Sequence, residues 1–199
     1  MPKTDSWTWR SRRFAAALLC LGALGAQAAD FKLPDLMKLL QQQKSGTASF
    51  VETRRLALID KPLESSGELS FNAPDRLEKR TLKPHTESLI LDGDKLSITQ
   101  GDKRPYTVRL QQYPEVAALV DSIRGALAGD QQALEKNYTL ELSGTADKWQ
   151  LVLAPSQPAL TKIVRRIRMA GHQAALQTID IEQADGDSSA MVISRPATP

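Results

Sequence analysis

Cysteine is all but missing from these 199 residues; the one thiol is Cys20. It lies inside the apolar run "FAAALLCLGALG", which follows Lys3, Arg10, Arg12 and Arg13 and precedes the small-residue run "AQA" at 26–28. A positive start, a short apolar stretch and small residues before a cut site make a secretory signal peptide of residues 1–28, cleaved after Ala28 or Ala29. Leu18 and Leu19 precede Cys20 where a lipoprotein signal needs a small residue, so lipidation is not expected. "SRRF" lacks the spacing of a twin-arginine signal, which leaves general secretion. Without Cys20 the remaining chain has no disulfide, no thiolate metal site and no cysteine nucleophile.

Net charge is the second thing the mature chain lacks. Four of the 26 basic residues and one of the 23 acidic residues fall in the leader, leaving 22 of each sign. The formal charge of +3 therefore belongs to the leader, and nothing remains that would draw the protein to nucleic acid. Long apolar runs are missing too. No stretch after the leader nears the roughly 20 residues of a membrane-crossing helix, so a soluble product of one domain, residues 29–199, is expected.

Catalytic vocabulary is equally sparse. His85 and His172 both sit beside turns with no second ligand at metal-binding spacing. There is no strained serine elbow and no glycine-rich phosphate loop. "DGDK" and "DGDSS" read as hairpin turns, being too short for calcium loops. Glu52, Glu68 and Glu78 could pair across strands, but nothing in the sequence brings them together. No nucleophile–base pair can be named, which argues against a hydrolase. The expectation is a protein that is not an enzyme, with no metal and no cofactor.

What is present is alternation. "LPDLMKLLQQQKSG" reads as a short helix with apolar Leu36, Met37, Leu39 and Leu40, stopped at Gly46. From Ala48 the period becomes two, in "ASFVETRRLALI", "GELSF", "RLEKRTL", "ESLILD", "KLSITQ" and "PYTVRL". Asp92-Gly93 between two such runs marks a hairpin. "PEVAALVDSIRGALAGD" then places Val116, Leu119, Val120, Ile123 and Leu127 at helical spacing, between Pro114 in the first turn and Gly129 past the end. "QQALEKN" adds a helical turn. Alternation returns in "YTLEL", "WQLVLA", "KIVRRIRM", "AALQTIDIEQ" and "SAMVIS". The pattern is an antiparallel meander interrupted by one helix.

Two strands carry unusual charge. In "LEKRTL", Leu77, Lys79 and Thr81 share one face and Glu78, Arg80 and Leu82 the other, so both faces are charged. In "KIVRRIRM", alternation puts Ile163, Arg165, Ile167 and Met169 on one face and Val164, Arg166 and Arg168 on the other. Its arginines read as a solvated outer face paired with neighbouring carboxylates, with an anionic headgroup or membrane surface as the other reading.

The run from "ASFVETRRL" through "PLESSGELSFNAPDRLEKRTLKPHTESLILDGDKL" resembles the LolA family of periplasmic outer-membrane lipoprotein carriers. The shared pattern is an amphipathic helix, "SF" opening a strand, "GxLxF" and a proline, then "KP", "ES" and "DG"; "PEVAALVDSIRGALAGD" and "YTLEL" stand where that family has its lid helices and next strand. The resemblance covers nearly the whole mature chain, and looks closest to a LolA-like branch associated with acyltransferases and exporters of aryl-polyene biosynthesis.

It implies a mainly β fold with some α: an incomplete, half-open antiparallel β-barrel closed by a helical lid. It also implies a monomeric periplasmic carrier that shuttles a lipid or lipoprotein from an inner-membrane exporter to an outer-membrane acceptor. The alternative is an adaptor that docks a lipid exporter without binding lipid. Carried over to this chain, the hydrophobic lining is Leu69, Phe71, Leu77, Leu89 and Leu91, and the lid is Val116, Leu119, Val120, Ile123 and Leu127. Lys79 stands where the lipoprotein carriers have an aromatic residue, and Ala73 where they have an arginine. A lysine at the cavity mouth would contact an anionic headgroup; at a strand end it would simply snorkel to water.

Overall fold

The computed structural model describes residues 30–194; the leader and the tail "RPATP" lie outside the described residues. A short helix α1 (Leu33–Gln41) leads into β1 (Ser45–Arg55). Five strands follow in sequence: β2 (Leu63–Asn72), β3 (Arg76–Lys83), β4 (Glu87–Asp92), β5 (Lys95–Gln100) and β6 (Tyr106–Arg109). A 3₁₀ turn at Leu110–Gln112, α2 (Pro114–Ala128) and α3 (Gln131–Glu135) come next. The chain returns through β7 (Tyr138–Thr145), β8 (Lys148–Pro155), α4 (Pro158–Thr161), β9 (Val164–His172), β10 (Ala175–Gln183) and β11 (Ser188–Ser194).

All eleven strands form one antiparallel sheet in the order β6-β5-β4-β3-β2-β1-β11-β10-β9-β8-β7. The first meander spreads outward from β1, and the second returns until β11 pairs with β1. The edge strands β6 and β7 do not pair with each other, so the sheet stays open, and the 3₁₀ turn, α2 and α3 connect its two edges. This is the half-open antiparallel architecture with few helices that the family resemblance implied.

Local signals explain most element ends. Asp35 accepts the Lys32 backbone N–H at 3.0 Å and Pro34 occupies the first turn, which together open α1. The helix stops at Gln41, not at Gly46: Ser45 and Gly46 are claimed by strand pairing with Asn72 and Phe71. Gly129 ends α2 in the left-handed region at φ 65°. A Cβ there would lie 2.2 Å from the Met37 carbonyl oxygen, so glycine is needed both for the backbone and for α1 to come close.

The closed core lies over one half of the sheet. Leu151, Leu153, Val164 and Ile167 are fully buried, with Met169 at 1% exposure, against Leu36, Met37 and Leu40 of α1, Ala126 of α2 and Leu134 of α3. Trp149 is buried there with its indole N–H donating to the Gln173 carbonyl at 2.8 Å.

Strand β9 corrects the alternation read from "KIVRRIRM". Glu182 pairs with Arg166 and Gln183 with Val164, so Arg165 is an extra residue in a bulge. Val164 therefore joins Ile167 and Met169 in the core, and Arg165 turns out to solvent. Arg166 and Arg168 do point outward, and both donate to Glu182, at 2.8 and 2.7 Å. These contacts, Arg166 first, hold the Glu182 carboxyl below its ordinary value. The arginines are thus paired on a solvated face, where such bridges contribute about 0–1 kcal/mol each.

Candidate functional site

Residues directly opposite in an antiparallel pair share a face. The registers therefore give two rows across β2–β5 on the same side of the sheet as the closed core. In one row Phe71 faces Leu77, Leu77 faces Leu91, and Leu91 faces Leu96. In the next row Leu69 faces Lys79, Lys79 faces Leu89, and Leu89 faces Ile98. All five residues read as lining, Leu69, Phe71, Leu77, Leu89 and Leu91, fall on this face. Leu96 and Ile98 belong with them although the sequence reading did not name them; their alternation in "KLSITQ" was the available signal.

The two halves of that face differ in closure. Leu69, Phe71, Leu77, Leu89, Leu96 and Ile98 are all half-buried, and only Leu91, at 4%, is buried. None of these seven belongs to the closed core cluster. Leucines and isoleucines in equivalent inward positions on β8 and β9 have no exposure at all. An apolar face is therefore left partly exposed over β2–β5, here called the trough, in a sheet whose other half is covered by its own helices.

Helix α2 carries the five residues expected to form a lid, and the structure differs on one of them. Leu119 and Ile123 pack against the closed core. Val120 and Leu127 are half-buried, but Val116 is 42% exposed, because it lies in the first turn before the helix meets other elements. Arg124 donates to the Gly93 carbonyl at 2.7 Å and so ties α2 to the β4–β5 turn, beside the trough. At the C-terminal end of α2, Gln41 donates to the Gly129 carbonyl at 3.3 Å. Two residues before Arg124, Ser122 is buried, its hydroxyl donating to the Leu119 carbonyl at 2.6 Å. The Tyr138 hydroxyl is buried without a hydrogen-bond partner among the described residues, and burial pushes it above its ordinary value.

The inward face also carries polar residues, among them an ion pair. Glu52 of β1 is buried on the inner face, opposite Ser65 of β2 and Met191 of β11. Lys79 donates to Glu52 and forms an ion pair with it. Ser189 donates to the same carboxylate at 2.5 Å, and Ser65 lies at 3.5 Å. Burial raises the Glu52 carboxyl, but the hydrogen bonds of Lys79 and Ser189 and the charges of Lys79 and Arg54 outweigh it and leave the group below its ordinary value. The Lys79 ammonium also stands 5.0 Å from the centre of the buried Phe50 ring, within cation–π range.

Gly67 lies between Phe50 and Thr81 on the same face. An added Cβ there would lie 1.9 Å from the Arg80 carbonyl oxygen, so glycine lets β2 and β3 approach at the register shift. Lys79 thus occupies the lining face, as read, but is not a free strand-end cation: it turns inward to Glu52. Of the three glutamates that could have paired, Glu68 meets Arg80 at 2.6 Å on the opposite face, where Glu78 also lies.

Two clefts are also present, and neither is lined by Phe71, Leu77, Leu89 or Leu91. One of about 640 Å³ lies between α1, the α2–α3 junction and the β2–β3 turn, lined by Met37, Lys38, Lys44, Ala73, Pro74 and Gly129 among others. It holds Ala73, but none of the five lining residues. The other, about 370 Å³, is walled mainly by outer-face residues Ser49, Glu68, Ser70, Glu78 and Arg80. His85 is exposed in the β3–β4 turn, and His172 is exposed 3.6 Å from Asp147.

Residues 25–198 match the family model described as outer membrane lipoprotein carrier protein LolA-like. The chain is 29% identical over 187 residues to an outer-membrane lipoprotein carrier protein of Methylibium petroleiphilum, covering 94% of this chain and 87% of that one. It is 26% identical over 194 residues to a carrier of the same name from Albidiferax ferrireducens, covering 92% and 90%. Among solved structures, the LolA superfamily protein NE2245 from Nitrosomonas europaea is similar at a TM-score of 0.45 and 10% identity, over 85% of this chain and 96% of that one. The chain belongs to the LolA-like family of outer-membrane lipoprotein carrier proteins.

Proposed function

We propose that this protein is a periplasmic, non-enzymatic carrier that shields acyl chains in the trough over β2–β5 during passage from the inner to the outer membrane. One observation carries the reading: an apolar face that is filled by helices on β8 and β9 is left half-open at Leu69, Phe71, Leu77, Leu89, Leu96 and Ile98. A chain laid there gains about 0.8 kcal/mol per buried methylene before ordering costs. Residues 29–199 act as one carrier unit, exported by the leader and cut after Ala28 or Ala29. The cargo is an acyl or polyene chain on a lipid or lipoprotein. Transfer needs no cofactor in the carrier; direction comes from an inner-membrane donor and an outer-membrane acceptor of different affinity.

The test is to express the chain with its leader, purify it from the periplasm without detergent, and extract it for lipid mass spectrometry. The carrier reading expects acyl-bearing molecules that are depleted in a Leu89→Asp variant. Lipid-free protein that still binds an exporter would favour an adaptor instead.

A further inference from the structure

The Lys79–Glu52 pair is out of place in a trough built from leucine, isoleucine and phenylalanine. Buried ion pairs are weak stabilisers, because the desolvation cost of both charges offsets their attraction, and apolar replacements are often neutral or better. Core stability therefore gives no reason for a lysine at this position. The pair is also asymmetric: the Lys79 side chain is 26% exposed and that of Glu52 is 9%, so the cation faces the open trough with the carboxylate behind it.

An ammonium has three N–H donors. Among the described residues, Glu52 is the one hydrogen-bond acceptor that Lys79 meets, the other contact being the face of Phe50. Glu52, by contrast, already accepts from Ser189 and Ser65 as well. Arg54, the next residue on the same face of β1, is exposed and adds a second positive charge near the carboxylate. Leu69 and Leu89 flank Lys79 on its two neighbouring strands, roughly 5 Å away on each side.

We propose that Lys79, held in place by Glu52, is the anion-recognition group of the trough: a carboxylate or phosphate head seats on its spare donors while the attached chain lies along Leu89 and Ile98. This rests on the carrier reading and specifies the cargo class, namely acyl chains with a negatively charged head. Glu52 orients the lysine and also competes with the incoming anion. Removing the two partners should therefore have opposite effects, which a merely structural pair would not show.

The experiment titrates a fluorescent long-chain fatty acid and its methyl ester against wild type, Glu52→Gln, Lys79→Met and Lys79→Arg. The readout is the ratio of anionic to neutral affinity, and thermal melts record folding separately. Glu52→Gln should raise the ratio by about threefold or more, and Lys79→Met should lower it by about tenfold, the size of one charge-assisted contact. Lys79→Arg should stay within about twofold of wild type, since it keeps the charge. If Lys79→Met does not fold, the rise in Glu52→Gln alone decides. Equal ratios throughout would overturn the proposal while leaving the carrier reading intact. Failure of wild type to bind either probe would overturn both. Inorganic phosphate should not displace the fatty acid; displacement would mean a free-anion site and would overturn the lipid assignment.

Discussion

Leu151 and Leu89 are both inward-facing leucines of the same sheet, and truncating each to alanine should have different consequences. Leu151 has no exposure and lies between Leu142 and Met169 in the closed core. Leu89 is half-buried between Lys79 and Ile98. Each change removes three carbons, a transfer loss of about 2.4 kcal/mol when fully buried. At position 151 a cavity adds to this, giving about 3–4 kcal/mol. At position 89, where most but not all of the side chain is buried, about two-thirds or more of the transfer loss applies and no closed cavity is left, giving about 1.5–2 kcal/mol. For a domain of this size those costs correspond to about 6–16 °C against about 3–8 °C in melting temperature. Urea unfolding followed by fluorescence suits the assay, because Trp149 is buried and the other two tryptophans, Trp7 and Trp9, precede the cleavage site. Affinity for an acyl probe should move the other way, falling several-fold in Leu89→Ala and little in Leu151→Ala. If Leu89→Ala costs as much stability as Leu151→Ala, the β2–β5 half is an ordinary closed core and the trough does not exist.

Three further outcomes follow from the structure. The Glu52 carboxyl is depressed in the folded state, so its stabilisation is fully present above the ordinary carboxylate range and is lost as pH falls through the folded-state value; acid titration of Glu52→Gln should show a flatter low-pH limb than wild type. Ile123→Asp places an unpaired charge against the core and should cost about 3 kcal/mol in denaturant titration, whereas Val116→Asp, at an exposed site, should stay within about 0.5 kcal/mol. Intact mass of the periplasmic product should correspond to a chain starting at Ala29 or Asp30 without an acyl group; a mass that retains Cys20 with a diacylglyceryl group would contradict the leader assignment.

Elements bounded by strong turn chemistry were legible to the residue. "ESLILD" and "KLSITQ" became β4 and β5 unchanged because Gly93, at φ 58°, fixes the turn between them. Pro114 and Gly129 framed α2 in the same way. Gly46 misled because a glycine after a helix also fits a strand start, and pairing with β2 decided the matter. The β9 bulge was invisible to alternation, since an extra residue is defined only against the partner strand. Lys79 could be placed on the lining face by period alone. Its carboxylate partner could not, because Glu52 is 27 residues away and the Ser189 that completes the site is 137 residues from Glu52. The signal that Glu52 faces inward was present in its alternation with Ala48 and Phe50, but nothing local said that three other strands would meet it there. Helical spacing likewise gave the face of α2 but not how far along the helix that face is covered, which is why Val116 was included.

The most direct measurement is photo-crosslinking with a fatty acid carrying a diazirine along its chain, followed by peptide mapping. Labels are expected on the inward residues of β2–β5, at Leu69, Phe71, Leu77, Leu89, Leu96 and Ile98, and should be lost when unlabelled fatty acid competes. Labels confined to the cleft at Met37, Ala73 and Pro74, or scattered over the outer face at Ser49, Glu68 and Glu78, would contradict a carrier that holds its cargo in the half-open trough.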